Sequence, residues 1–320
     1  MLASVLIANR NYGRYVGRAI ESALAQDATD VEVVVVDDGS SDDSADVLRS
    51  YRDRVTVVLG DHRGQQTAIN DAFARSHGDV ICLLDADDWF TPGKVAAVVE
   101  AFRRRPDAVL VHHQMQSVDA GGRPRDRPWP GRLLEGDLHA RVARSGGWYP
   151  RAPASGLSFR RAYLERLFPI PSEHCRASGP LGEVAVRRPP DTYLAAPAAF
   201  VAPIAGIARP LSAYRIHGAN TSNLGYDAVD RAAILNARIA RCVVEFHTLR
   251  WVLLERYGLE PPIRLEDHLE YQLARHAVGA LPTAAAVRLT LGSRALPAAM
   301  KPREAARVAL GRNRVRGRAR

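Results

Sequence analysis

From residue 1 to about 115 the chain alternates short β-branched runs with amphipathic stretches, and no other feature narrows its fold as far. The runs Ser4 to Ala8, Val31 to Val36, Val55 to Leu59, Val80 to Leu84 and Ala108 to His112 have strand length. Their near-continuous apolar content predicts strands covered on both faces. Between them, Val16, Ile20, Ala23 and Leu24 share one helical face, and Ala68, Ala72 and Phe73 share another. A third helix is expected after Thr91 as cap and Pro92 in the first turn, with Val95, Val98, Val99 and Phe102 on its apolar stripe. Strands separated in this way predict an α/β fold with a mostly parallel sheet and right-handed crossovers.

Further along, DAGGRPRDRPWP (119–130) is too rich in Gly, Pro and charge for an element interior and predicts a loop. RRAYLERLF is a short helix stopped by Pro169 and Pro171, and DTYLAAPAAFVAPIAG carries a helical pattern broken at Pro197 and Pro203. AAILNARIARCVVEFHTLRWVLLERYG reads as one long helix, with another expected from Leu265 to Val278. The opening MLASVLIANRNYGRYVG has no basic leader or cleavage pattern and is expected to be a first strand, and no run reaches the length of a membrane span. Cys82, Cys175 and Cys242 are isolated and lack metal-ligand spacing, which points to a reducing compartment, the cytoplasm. Of the net charge of +9, residues 301–320 carry the larger part, with eight Lys and Arg against Glu304 alone. A solubilising end is favoured there over a nucleic-acid partner, which is not expected; peripheral contact with an anionic inner-membrane face is kept as an expectation.

Two acidic groups carry the chemistry. Asp37 and Asp38 close the run VVVVDDGSS, and Asp85, Asp87 and Asp88 close ICLLDADDWF. In open α/β sheets ligands bind outside the carboxyl ends of the strands, where an Asp can accept hydrogen bonds from a base or a ribose. Asp85 and Asp87, one residue apart on a turn leaving a strand, can face one hard cation, Mn²⁺ or Mg²⁺, together with diphosphate oxygens.

The segments SVLIANRNYGRYVGRAIESALAQ, VEVVVVDDGSSDDS, RGQQTAIN, GDVICLLDADDWFTPGK, ASGLSFRRAYL, DTYL and RPLSAYRIHGANTSN, in this order, resemble the family-2 glycosyltransferases. That resemblance implies a GT-A (Rossmann-like) fold with a mostly parallel central sheet flanked by helices, and an inverting transfer from a UDP-, GDP- or dTDP-linked sugar. It implies a glycosyltransferase domain over residues 1–223, in which residues 1–115 bind the nucleotide sugar and residues 116–223 serve the acceptor, followed by a C-terminal helical extension, 224–320. Carried over by position, Ala8, Asn9 and Asn11 lie beside the nucleobase, Asp37 and Asp38 contact base or ribose, and Gly64 and Asn70 begin a helix near the nucleotide. Asp85, Ala86 and Asp87 form the D-x-D motif. His217 returns to the diphosphate and is counted with Asp85 and Asp87 at the metal. Asp191, a lone acid where the family usually has an acidic pair, is the expected general base. The family often has Thr or Pro-Thr and Tyr where this chain has Ala8, Asn9 and Arg10, which leaves the base open. The acceptor is expected to be a glycan, lipid or small metabolite, and a homodimer is a possible assembly. An inactive sugar-nucleotide-binding module, a nucleotidyltransferase and an adaptor acting through the Arg-rich end remain as alternatives.

Overall fold

The computed structural model describes residues 1–27, 30–171, 175–179, 182–186, 189–218, 231–260, 262–268 and 271–272, with backbone alone at 175–179, 182–186 and 231–238. Glu173, the NTSN of the HGANTSN segment, the expected helix beyond Gln272 and the Arg-rich stretch 301–320 lie outside the described residues.

In chain order the strands and helices begin β1 (Ala3–Asn9), α1 (Gly13–Leu24), β2 (Val31–Asp38), α2 (Ser44–Arg49), β3 (Thr56–Gly60), α3 (Gln65–Ala74) and β4 (Val80–Asp85). They continue with β5 (Trp89–Phe90), α4 (Lys94–Arg104), β6 (Leu110–Val118), α5 (His139–Ala143), β7 (Leu157–Arg160) and α6 (Arg161–Leu164). Last come β8 (Cys175–Gly179), β9 (Gly182–Val186), α7 (Pro190–Ala195), α8 (Ala198–Val201), β10 (Ile204–Arg215) and α9 (Arg231–Tyr257). The chain divides into two compact units, one of Met1–Asp137, Arg151–Ser172 and Ala202–His217, the other of Leu138–Pro150, Glu173–Val201 and Gly218–Arg320.

The first unit is built on one eight-stranded sheet, ordered β3-β2-β1-β4-β7-β6-β10-β5. Its core is the apolar content read from the sequence: Val33, Val34, Val35 and Val36 are at most 3% exposed, so β2 is covered on both faces as expected. On α1 the buried residues are Tyr15, Val16, Ala19, Ile20 and Ala23, and on α4 they are Val95, Val98, Val99 and Phe102 together with Lys94. The α4 cap differs from expectation. Gly93, with φ at 75°, precedes the helix, while the Thr91 N–H is taken by the Leu211 carbonyl at 3.0 Å.

The sheet is mixed, and the departure from a parallel sheet has a topological cause. β7 runs antiparallel between β4 and β6, so the expected fifth strand is not beside the fourth. The chain enters β7 from a 3-10 turn, Ala154–Gly156, at the end of the sheet where β4 finishes, and can only run back. β6 itself extends through HQMQSV to Val118, beyond the apolar run, because β10 pairs with it in parallel along its length. Register shifts flank Pro210, which has no N–H for the ladder. β10 then pairs antiparallel with the two-residue β5, Ala213 opposite Trp89.

In the order β3-β2-β1-β4 the direction of winding reverses between β1 and β4, a switch point of the kind that opens a crevice at strand carboxyl ends. Register sets the acids level there: Asn9 is opposite Asp37, Ala8 opposite Asp85, and Asp38 opposite Gly60.

The second unit contains the β8–β9 hairpin, in which Cys175 pairs with Val186, and the helices α5, α7, α8 and α9. Tyr149, 1% exposed, donates its hydroxyl proton to the Ala195 carbonyl at 2.6 Å and ties the Leu138–Pro150 segment to α7. The DTYLAAPAAFV stretch forms α7 and α8, helical as expected, but the strand of β10 begins directly after Pro203. Between Leu265 and Gln272 the chain forms the 3-10 turn Leu265–Asp267, and Tyr271 and Gln272 are helical. No helix among the described residues is long and apolar enough to cross a membrane.

Candidate active site

At the β1–β2 end, Asn9 is 1% exposed and donates from Nδ2 to Asp37 Oδ1 at 2.7 Å and to Ser40 Oγ at 3.3 Å. Asp37 also accepts the Ser40 N–H at 2.9 Å and the Ser40 hydroxyl at 2.6 Å. Asn11, at φ 56°, accepts the Ser41 N–H on Oδ1 at 2.8 Å. The loop after β1 and the loop after β2 are therefore one hydrogen-bonded frame, with the half-buried Ala8 at its base.

Asp38 serves the third loop. Its carboxylate accepts the Arg63 N–H at 2.7 Å and the Gly64 N–H at 2.8 Å, and meets the His62 ring Nδ1 at 2.8 Å. Gly39 permits this approach: at φ +65° a Cβ there would lie 2.4 Å from the His62 backbone nitrogen. The sequence places Asp38 and Gly64 in the same neighbourhood through a resemblance; the structure joins them directly. Asn70, on α3, turns elsewhere. Its Nδ2 donates to the Ile170 carbonyl at 2.9 Å and its Oδ1 accepts the Ile170 N–H at 2.8 Å.

At the end of β4 the D-x-D turn gathers three carboxylates. Asp85 is half-buried, while Ala86, Asp87 and Asp88 are 2%, 7% and 1% exposed. Burial, and then the negative charges of Asp87 and Asp85, push the Asp88 carboxyl well above the usual carboxylate range, against the Arg215 N–H and the Ser155 hydroxyl that favour its ionised form. Tyr12 feels the same field: burial first, then Asp87, Asp85 and Asp88, raise its phenol. His217 is brought to this turn, its Nε2 2.9 Å from Asp87 Oδ2, with its ring 5.6 Å from Tyr12 and 5.1 Å from Tyr15 between centroids.

Residues that the sequence motifs do not single out complete the site. Arg215 donates from Nε to the Asp87 carbonyl at 2.8 Å and from Nη1 to the Ala120 carbonyl at 2.7 Å. Its guanidinium lies 4.5 Å from the Tyr15 ring centroid and 4.8 Å from that of Trp89, over which Arg18 also stacks at 3.4 Å. Burial and the Arg215 charge lower the Arg18 pKa. A basic residue directly after an extended apolar run, two positions before a His, is the only sequence signal that marks Arg215.

His112 and His113, at the end of the apolar run of the fifth strand, are core groups. Both are 0% exposed; His112 Nε2 donates to the Leu134 carbonyl at 2.7 Å and His113 Nδ1 to the Gln114 carbonyl at 2.8 Å. Asp191 belongs to the second unit, in the first turn of α7, where its Oδ1 accepts the Thr192 N–H at 2.8 Å. Its charge contributes, after that of Glu245, to raising the pKa of Arg241 against the effect of burial. Asp87 and His217 are thus brought together, as are Asn9 and Asp37, and Asp38 and Gly64.

Comparison with known proteins agrees with this architecture. The Glycosyl transferase family 2 model matches residues 4–168, just over half of the chain. The chain is 37% identical over 225 residues to an uncharacterized glycosyltransferase of Nostoc sp., alr2836, covering 69% of this chain and 66% of that protein. It is 36% identical over 175 residues to the succinoglycan biosynthesis protein ExoU of Rhizobium meliloti, covering 51% of this chain and 49% of that one. The chain therefore spans about half to two-thirds of the length of these relatives. Among solved structures, residues 1–349 of Staphylococcus aureus TarS in complex with UDP-GlcNAc superimpose with a TM-score of 0.54 at 16% identity, over 98% of this chain and 90% of that one. The mannosyltransferase PcManGT of Pyrobaculum calidifontis, in complex with GDP-Man and Mn²⁺, gives 0.52 at 18% identity, over 97% and 86%. With the mixed sheet, the acids at its switch point and the matched sequence model, the chain belongs to glycosyltransferase family 2 and has the GT-A fold.

Proposed function

We propose that the chain transfers a sugar from a nucleotide-diphosphate donor to an acceptor hydroxyl, with inversion at the anomeric carbon and with a divalent cation, Mn²⁺ or Mg²⁺, at the D-x-D turn. The observation that carries this reading is the collection of Asp85, Asp87 and Asp88 at the carboxyl end of β4, beside the switch point. A hard cation fits the carboxylates of Asp85 and Asp87. Among the described residues no group of three or more His, Cys, Asp and Glu is placed to hold a metal ion by itself, so an ion here would draw its remaining ligands from substrate oxygens and water, as Mg²⁺-type ions do. When bound, the cation would neutralise charge on the leaving diphosphate.

The chain's own residues then divide the work. The frame made by Asn9, Asp37, Asn11 and Ser40, with Asp38 fixing the 62–64 loop, bounds the nucleoside pocket. Asp85 and Asp87 would hold the cation, and His217, bonded to Asp87 at 2.9 Å, orients that carboxylate. Asp191 takes the proton of the acceptor hydroxyl as it attacks from the face opposite the leaving group. The donors present in the TarS and PcManGT complexes, UDP-GlcNAc and GDP-Man, support a nucleoside-diphosphate sugar without choosing the base.

A thermal-shift screen of UDP-, GDP- and dTDP-sugars with and without Mn²⁺ tests the reading, because a ligand that binds only the folded chain raises its melting temperature. One donor class is expected to stabilise the wild type in the presence of Mn²⁺ and to fail with Asp87→Ala, which also loses turnover. Unchanged turnover in Asp87→Ala would remove the D-x-D turn from the chemistry.

A further inference from the structure

We infer that Asp88 is a positioning residue: through Ser155 and the Arg215 backbone its carboxylate sets the conformation of the Asp85–Asp87 turn and ties that turn to the segment carrying His217. The inference rests on the reading of Asp85 and Asp87 as the cation and diphosphate end of the site.

Both Asp88 oxygens are committed inward. Oδ2 accepts the Ser155 hydroxyl at 2.7 Å, and Oδ1 accepts the Arg215 N–H at 2.8 Å. Each partner in turn grips the turn at another point: the Asp85 N–H donates to Ser155 Oγ at 3.0 Å, and Arg215 Nε donates to the Asp87 carbonyl at 2.8 Å. The bonds close a ring that runs from Asp85 through Ser155, Asp88 and Arg215 to Asp87. Thus the backbone of each proposed ligand is held at one atom by groups 70 and 128 residues away in sequence. The Ser155 carbonyl also accepts the Ser212 hydroxyl at 2.8 Å, so β10 braces the ring from a second point. At 1% exposure Asp88 offers no oxygen to a substrate, unlike the half-buried Asp85. A turn defined only by its own residues would leave the two ligand carboxylates free to splay, and a displacement of about 1 Å at a reacting centre can cost about 100-fold in rate.

The test compares Asp88→Ala, Asp88→Asn, Ser155→Ala, the double variant Asp88→Ala/Ser155→Ala, and Asp87→Ala. It reads kcat and donor KM separately, Mn²⁺-dependent donor binding by calorimetry, and urea unfolding of the metal-free protein. Asp88→Ala is expected to lower kcat by about 100-fold and Ser155→Ala by about 10-fold, with the double variant no worse than Asp88→Ala, since groups in one network are not additive. The same non-additivity is expected in the metal-free unfolding. Asp88→Asn, which keeps an acceptor for the Arg215 N–H, is expected to recover at least about 10-fold of the loss. Multiplying losses, an unchanged kcat in Ser155→Ala, or loss of Mn²⁺-dependent donor binding in Asp88→Asn equal to that in Asp87→Ala would each overturn the inference; the last would make Asp88 a direct ligand. Because Ser155→Ala removes a single hydroxyl, it decides the matter even where Asp88→Ala does not fold. Wild-type turnover in Asp87→Ala would instead sink the reading of the D-x-D turn, which separates the two failures.

Discussion

Replacing Asn70 by Ala separates a structural from a nucleotide-binding role at a position where the family resemblance implies the second. In the structure the carboxamide is a two-way clamp: it gives a proton to the Ile170 carbonyl at 2.9 Å and accepts the Ile170 N–H at 2.8 Å, joining α3 to a backbone 100 residues away. Ile170 is 1% exposed. Removing the amide would leave two backbone groups with no partner, at about 1–3 kcal/mol each. Asn70 itself is half-buried, so water reaches part of the vacated space and the lower half of that range applies. Asn70→Ala is therefore expected to cost about 2–4 kcal/mol of stability while leaving donor affinity within about threefold. Urea unfolding with both midpoint and slope fitted gives the first quantity, and the slope should not change. Calorimetric titration of the donor on the folded variant gives the second. A loss of stability below about 0.5 kcal/mol together with a tenfold or larger loss of donor affinity would refute the clamp and return Asn70 to the nucleotide.

The buried histidines impose a pH dependence with a definite sign. Burial, the leading cause in both, holds His112 down from 6.5 to about 4 and His113 to about 3, so the folded chain resists protons that the unfolded chain accepts. Stability is then full above pH 6.5 and falls as pH drops from 6.5 toward 4, by about 1.4 kcal/mol per pH unit for each ring. His112→Gln is expected to flatten that fall by one such increment in urea unfolding between pH 7 and pH 4.5, and identical slopes would show that the ring is not buried neutral. Asp191→Asn keeps an oxygen for the Thr192 N–H that Asp191 accepts at 2.8 Å, so it should fold and bind donor while transfer drops by about 100-fold or more. Retained transfer would move the base to another residue.

The acids at the strand ends were legible because they follow apolar runs whose ends are visible in the sequence. β1, β2, β3 and β4 fall within a few residues of the expected runs, and the acids at their ends are level because parallel register makes them so. The antiparallel β7 was not legible: LSFR is too short to declare a direction, and its place between β4 and β6 depends on the path of the chain before it. For the same reason Ser155 and Arg215 could not be joined to Asp88 from the sequence, since their bonds cross 67 and 127 residues. Lys94 shows a different limit. A lysine at the start of an amphipathic helix is ordinarily solvated, yet Lys94 is 0% exposed, donates to Ser158 Oγ at 3.0 Å and lies 4.0 Å from the Phe90 ring centroid. Histidines that close an apolar run carry no mark of their depth in the sequence, and only the burial of β6 makes His112 and His113 core groups.

The order in which the chain visits its sheet sets how little of it can stand alone. The matched family region ends at residue 168, but β10 is contributed by residues 204–215 and supplies the partner of β6 along nine register pairs. A fragment cut at 168 would expose β6 as a raw edge and strip the D-x-D turn of Arg215 and His217. During synthesis the same geometry delays completion. The first unit cannot close its sheet until residue 215 has left the ribosome, after the 173–201 segment of the second unit has already emerged. The smallest piece that keeps both the whole sheet and the partners of the D-x-D turn is consequently not the strongly patterned front of the chain but one that reaches past the insertion to His217.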